Sequence, residues 1–283
     1  MVASEIRALF AVASRPEVVS LAGDMPYVSA LPLDIVGDLV GDIVARRGPQ
    51  ALQYSSAQGD PELRERICEV MALEGITASA EDVVVTVGSQ QALDLITRIF
   101  VDPGDVVIAE APSYVGALGT FAAYQADVVH VPLDDNGLIP AALRETLQRL
   151  ATEGRRPKLL YTVPNFHNPA GVTLTDERRR EILDICAAHD LLVIEDNPYG
   201  LLGFDGEPAG TAAYGAASTT RRALRADDAE RVIYLGSFSK TFAPGFRSAG
   251  LSPRTPSGPN SSSPRSRPSC VIRASASWRC GST

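Results

Sequence analysis

Along most of the chain, short continuous apolar runs alternate with stretches in which apolar positions recur every three or four residues. The runs are residues 83–87 (Val-Val-Val-Thr-Val), 106–109 (Val-Val-Ile-Ala), 159–163 (Leu-Leu-Tyr-Thr-Val), 191–194 (Leu-Leu-Val-Ile) and 232–235 (Val-Ile-Tyr-Leu). Unbroken apolar character of this length suits parallel strands covered on both faces. Residues 61–73, 140–150 and 176–189 carry amphipathic helical spacing between the runs, and a further helical pattern follows Gly88-Ser89 through Ala92, Leu93 and Ile96. Asp60-Pro61-Glu62 offers a capping acid, a proline at the first helical position and an early carboxylate, all signals of a helix start. The alternation predicts an α/β fold, a mostly parallel sheet with helices on both faces. Residues 206–230, rich in alanine, glycine and threonine before turning charged, read as a long surface connection.

Composition narrows the class. With 283 residues and 45% hydrophobic content the chain can bury one substantial core, and a net charge of −8 argues against a nucleic-acid surface. No apolar stretch is long enough for a bilayer, and the first residues, with acidic Glu5, do not read as a secretory signal. Four cysteines are scattered without paired or metal-ligand spacing, which predicts a reduced, cytoplasmic setting and no metal.

The candidate chemistry lies at the ends of the apolar runs. Ser237-Phe238-Ser239-Lys240 follows one of them, with Arg247 seven residues beyond the lysine. A lysine amine can condense with an aldehyde to form a Schiff base, while hydroxyls, backbone amides and a guanidinium hold a phosphate dianion. Taken alone, an ordinary solvated lysine fits equally well. Asp196 and Tyr199 follow the run at 191–194, where ligands sit in open α/β sheets. An ionised aspartate beside a pyridine nitrogen favours the protonated, electron-withdrawing ring, and a tyrosine three residues on can reach the ring's phenolic oxygen. A turn-capping aspartate and a core tyrosine are the plain alternatives. Asn168, in the turn at 164–171, can donate to the same oxygen or serve only as an Asn-Pro turn. Gly88-Ser89-Gln90 joins a strand to a helix, an arrangement that aims free amides at an anion and is equally a simple N-cap. Tyr114, on the loop after 106–109, can stack on a pyridine face. Together these features read as a pyridoxal phosphate (PLP) site.

In combination these motifs resemble the fold-type I PLP enzymes, specifically the class I and II aminotransferases. The likeness is greatest to the branch with α-aminoadipate and kynurenine aminotransferases and the aminotransferase-like domains of some bacterial transcription regulators, and it covers residues 6–247. The resemblance implies that Lys240 forms the Schiff base and that Asp196 partners the pyridine nitrogen. It implies that Asn168 and Tyr199 contact the ring oxygen and that Tyr114 stacks on the ring. Ser89, Gln90, Ser237, Ser239 and Arg247 then surround the phosphate, and Tyr54 reaches across a homodimer interface. Residues 20–26 resemble a substrate-side loop containing Gly23, in which Asp24 replaces a usual second glycine. The implied activity is amino-group transfer between an amino acid and a 2-oxo acid, with neither nucleic acid nor membrane as partner. A non-catalytic PLP-binding remnant or regulatory module, and a lyase or decarboxylase on the same scaffold, stay open as alternatives.

The pattern changes after Arg247. Residues 248–283 contain no acid and no lysine, five arginines follow Gly250, and serine and proline dominate, the composition of a disordered tail. A natural basic tail is one reading. A second comes from back-translation: read one base earlier, residues 248–258 permit Val-Gly-Trp-Ala-Leu-Ala-Pro-His-Ala-Val-Arg, the kind of segment the family places after its phosphate arginine. The hypothesis is a single-base deletion near codons 247–248. It divides the chain into an N-terminal arm with part of a small domain (1–50), an incomplete PLP-binding major domain (51–250) and an aberrant tail (251–283), the small C-terminal domain being missing. On that hypothesis the sheet loses the strands that follow Lys240, exposing an edge, and transaminase activity is impaired.

Overall fold

The computed structural model describes residues 15, 17–19, 25–203, 222–246 and 248–252. Among them, helices α1 (Leu33–Arg47) and α2 (Pro61–Ala72) precede strand β1 (Val84–Val87) and helix α3 (Ser89–Phe100). There follow β2 (Val106–Ala111), α4 (Val115–Ala123), β3 (Asp127–Asp134), β4 (Gly137–Leu138), α5 (Pro140–Thr152), β5 (Pro157–Thr162), α6 (Asp176–Ala188) and β6 (Leu192–Asp196). The short helix α7 (Leu224–Asp227), β7 (Val232–Ser237) and β8 (Ser248–Ser252) complete the described elements. The eight strands form one sheet in the order β1-β8-β7-β6-β5-β2-β3-β4. β7, β6, β5, β2 and β3 are mutually parallel. β8 runs antiparallel to both of its neighbours, so β1 points the same way as β7.

The apolar runs become strands because both faces of the sheet are covered. Val106, Ile108, Leu160 and Val193 face α5 and α6, packing with Leu143, Leu147, Ile182 and Cys186. Val107, Ala109, Leu159, Tyr161 and Ile194 point the other way, against Leu93 and Ile96 of α3 and Ala117 and Phe121 of α4. Successive residues of one strand thus feed two cores, as the period-2 geometry of a strand demands. The start of α2 is as expected: Asp60 Oδ1 accepts the Leu63 N–H at 3.1 Å, with Pro61 at the first helical position.

Two expectations are corrected. Residues 248–252 are a strand, inserted between β1 and β7, and Leu251 and Ser252 therefore do not belong to a tail. Ser-Ala-Gly-Leu-Ser has little strand character, but the slot supplies ladder partners on both sides and needs only small side chains to fill it: Ala249 is fully buried and Leu251 joins the core under α3. The expected exposed edge beside β7 is consequently absent among the described residues. In the segment read as a surface connection, Ala223, Leu224 and Arg225 are buried, because the buried carboxylate of Glu195 accepts the Leu224 and Arg225 N–H groups at 2.9 and 3.0 Å. Residues 204–221 and 253–283 lie outside the described residues. Among the described residues no helix is long and apolar enough to cross a membrane, and no cluster of side chains could hold a metal ion.

Candidate active site

Because β1, β2, β5, β6 and β7 share one direction, their carboxyl ends lie along one edge of the sheet, and the predicted site residues follow those ends. Asp196 closes β6 and is 4% exposed. The adjacent strand β5 runs in register with it, which lets the Tyr161 hydroxyl donate to Asp196 Oδ2 at 2.7 Å. Oδ1 of the same carboxyl is buried and has no partner among the described residues. Burial pushes the Asp196 carboxyl up to about 6, and the Tyr161 hydrogen bond pulls against that rise. An orphaned carboxylate oxygen costs on the order of 1–3 kcal/mol or more, a cost removed by a cationic N–H donor. A protonated pyridine nitrogen is such a donor, so this carboxyl fits the expected ring.

The loops after β5, β6 and β7 meet beside it. Asn168 Nδ2 donates to the Tyr199 hydroxyl at 3.5 Å, and Lys240 Nζ lies 6.0 Å from the centroid of the Tyr199 ring. The turn carrying Asn168 is held from below by His167, buried against Glu110 of β2 with Nε2 3.1 Å from Oε2, an ion-pair distance. Its Nδ1 accepts the Ala170 N–H at 3.3 Å, while Glu110 also accepts from Thr162 Oγ1 at 2.9 Å and Val163 N at 2.8 Å. Tyr114, immediately before α4, packs on the α3/α4 core. Gly116 makes room for its ring, since a Cβ there would stand 2.5 Å from the phenol.

The β1-to-α3 turn has the geometry of an anion cradle. Gly88 takes φ +76°, a conformation that a Cβ disfavours. Thr86 Oγ1 donates to its carbonyl at 3.1 Å, and Gln91 Oε1 accepts the Val87 N–H at 2.6 Å, pinning the turn. The first-turn amides of Ser89 and Gln90 have no intrahelical acceptor and are available to an anion. The Gln90 side chain serves a different purpose, because Nε2 donates to Thr120 Oγ1 at 2.6 Å and to the Gly116 carbonyl at 3.2 Å, tying α3 to α4. After β7, Ser237 Oγ accepts the Ser239 N–H at 3.1 Å. Tyr54 is 98% exposed. Arg247, Gly23 and Asp24 lie outside the described residues.

Several buried polar residues at this edge escaped sequence reasoning: Tyr161, Glu110, His167, Asn165, Asn197, Glu74 and Arg179. Tyr161 and Glu110 occupy apolar strands, and a polar atom in such a run was the available signal. The others have partners far away in the chain. A small cavity of about 40 Å³ is lined by Met71, Glu74, Asn197 and Tyr234 and reaches Ser237 at the end of β7 and Thr241 on the loop after it.

Comparison with known proteins identifies the family and the fold. Residues 22–252 match the family described as Aminotransferase class I and II. The aromatic-amino-acid aminotransferase 1 of Thermococcus litoralis is 43% identical over 249 residues, 87% of this chain and 57% of that protein. A crystal structure of Pyrococcus horikoshii kynurenine aminotransferase in complex with PMP superposes with a TM-score of 0.79 at 39% identity, covering 89% of this chain and 59% of that one. The α-aminoadipate aminotransferase of Thermus thermophilus, complexed with N-(5'-phosphopyridoxyl)-L-leucine, does so with a TM-score of 0.73 at 34% identity, covering 88% and 58%. The chain thus spans less than three fifths of the length of these relatives. With a family match over most of the chain, a relative 43% identical across 87% of it and a shared fold, this chain belongs to the class I and II aminotransferases, whose cofactor is pyridoxal 5'-phosphate.

Proposed function

We propose that this chain holds pyridoxal 5'-phosphate between Lys240 and Asp196 and that its reaction class is amino-group transfer between an amino acid and a 2-oxo acid. The observation that carries the reading is the buried Oδ1 of Asp196, without a partner among the described residues, on the same sheet edge as the Asn168–Tyr199 contact and the Lys240 amine. When bound, the cofactor supplies an aldehyde for the lysine and a ring that draws electrons from an amino acid's α-carbon. Asp196 keeps a proton on the ring nitrogen, with Tyr161 orienting the carboxyl. Asn168 and Tyr199 donate to the ring oxygen, and Tyr114 covers one ring face. The Ser89 and Gln90 amides, Ser237, Ser239 and Arg247 hold the phosphate, and Gly23 lies on the substrate side. The Lys240 amine would serve as the base that moves the proton of the α-carbon.

The names of the relatives, which include aromatic amino acids, kynurenine and α-aminoadipate, support a donor with a bulky side chain. A homodimer is supported by α1, in which Leu33, Ile35, Leu39, Val40, Ile43 and Val44 are all exposed, and by the bare Tyr54 ring. The free Cys68 and Cys186 suit a reducing, cytoplasmic setting. Since the chain covers 57% of a relative's length, turnover by these 283 residues is expected to be weak even where cofactor binding is retained. The test is the visible absorbance of the purified chain with PLP, followed by borohydride reduction and peptide mapping. A reduced adduct on Lys240 that disappears in Lys240→Ala is the expected result; an adduct spread over surface lysines would refute the reading.

A further inference from the structure

We propose that a buried relay of side chains, Arg179–Asn165–Asn197–Glu74, positions Asn168 and Tyr199 for the cofactor, with the opposite charges at its ends dictating which way each amide faces. The proposal rests on the cofactor reading above. Asn165 sits three residues before Asn168 in the same turn, and Asn197 two residues before Tyr199. Asn165 Nδ2 donates to Asn197 Oδ1 at 2.8 Å, which ties the loop after β5 to the loop after β6 directly behind the Asn168–Tyr199 contact. At one end Arg179 Nη2 donates to Asn165 Oδ1 at 2.6 Å. At the other, Asn197 Nδ2 donates to Glu74 Oε1 at 2.6 Å, and the Tyr234 hydroxyl donates to Glu74 Oε2. Arg179 also grips the backbone of the first loop, with bonds to the Pro164 carbonyl at 3.2 Å and the Leu174 carbonyl at 3.0 Å.

The four relay side chains and Tyr234 are each at most 4% exposed, so a misdirected amide would be left buried. Reversing either asparagine would set an NH₂ against the guanidinium or a carbonyl against the carboxylate, and a buried charge left without its partner is strongly destabilising. The two charges therefore polarise both amides in one direction. The two loops are held at one spacing as a result, and with them the two donors aimed at the ring oxygen. These residues touch no cofactor atom in this scheme; they act through Asn168 and Tyr199.

The experiment uses the full chain with added PLP and compares Asn197→Asp, Glu74→Gln and the double variant. Asn197→Asp sets two carboxylates face to face. Loosened donors at the ring oxygen leave more electron density on the neighbouring imine nitrogen, so PLP affinity is expected to fall about tenfold and the pH midpoint of the visible band to rise by about one unit. Glu74→Gln keeps an acceptor for Asn197 and is expected to stay within about threefold of wild type. In the double variant the new amide at position 74 donates to the new carboxylate at position 197, reversing one link while satisfying every atom. Its affinity and midpoint are expected to return to within about threefold of wild type. An Asn197→Asp protein with wild-type affinity and midpoint would overturn the proposal, as would a double variant that is no better than the single one or fails to fold. If the wild-type chain forms no reducible adduct, the cofactor reading fails instead. The polarity of the relay is then read from thermal unfolding, lowered in Asn197→Asp and restored in the double variant.

Discussion

The two sides of the sheet's carboxyl edge are finished in opposite ways. On the side of α3 and α4, Asp196 is buried with one oxygen unanswered among the described residues. On the side of α2 and α6, the path from Arg179 through Asn165 and Asn197 to Glu74 and Tyr234 gives an acceptor to each donor. The difference sets a carboxyl oxygen that a ligand would complete in front of a run of buried side chains that partner one another.

The most damaging way to break that contrast is from behind. Arg179→Met removes the donor to Asn165 and to the Pro164 and Leu174 carbonyls, and denaturant unfolding is expected to show a loss of about 3–5 kcal/mol. A loss below about 1 kcal/mol, the worth of one ordinary hydrogen bond, would show that the back is not the brace. Asp196→Asn acts on the front with the opposite sign. Its carboxyl is raised from 3.8 to about 6 by burial, so at pH 8 the ionised group weakens the cofactor-free fold by about 3 kcal/mol, and the amide is expected to recover about that much. The same substitution should weaken PLP binding by a factor of about 100 or more, read by fluorescence or absorbance titration.

The pH dependence follows from the same carboxyls. A folded pKa above the unfolded one means stability that is whole below the unfolded value and lost as pH climbs through the folded value. Asp196 loses its share through about 6 and Glu195, raised from 4.5, through about 7. Thermal melts of the cofactor-free chain should therefore decline between about pH 4 and 7, and Asp196→Asn should flatten the lower part of that decline. A milder change is Tyr161→Phe, which removes the hydroxyl that holds Asp196 down. Its carboxyl should move higher still, at a cost of about 1 kcal/mol at pH 8, detectable as a steeper pH dependence than in wild type. Smallest of all is Tyr54→Ala, which should leave the melting temperature of the monomeric chain unchanged because the ring is 98% exposed. If a second copy uses it, PLP affinity in the dimer drops while the monomer's does not.

Much of this was legible in the residues themselves. The five apolar runs all became strands, since unbroken Val, Ile and Leu have few other ways to be buried twice over. Lys240, Asp196, Asn168 and Tyr199 stood out as candidates because each lies just beyond such a run, and the structure brings them to one edge of the sheet. β3 escaped notice because its residues are mostly half-covered and polar at intervals, and α4 because a short Gly- and Ala-rich stretch carries little periodicity. Asn197 could not be linked to Glu74, 123 residues away, by any local pattern. α1 and α3 sharpen the point: both present apolar residues at helical spacing, yet Leu93 and Ile96 are sealed while Leu39 and Ile43 stand about half exposed.

Local hydrophobic order thus determined the five central strands and the amphipathic helices beside them, and marked candidate polar residues at strand ends, since burial and helix capping act over a few neighbouring residues. Tertiary structure alone decided that Ser248–Ser252 would fill a gap between two strands, that Tyr161 would steady Asp196, and that one arginine and one glutamate would orient two asparagines. Each of these depends on partners brought together from distant parts of the chain, where a hydrogen bond's strength is set by the water it excludes rather than by sequence proximity.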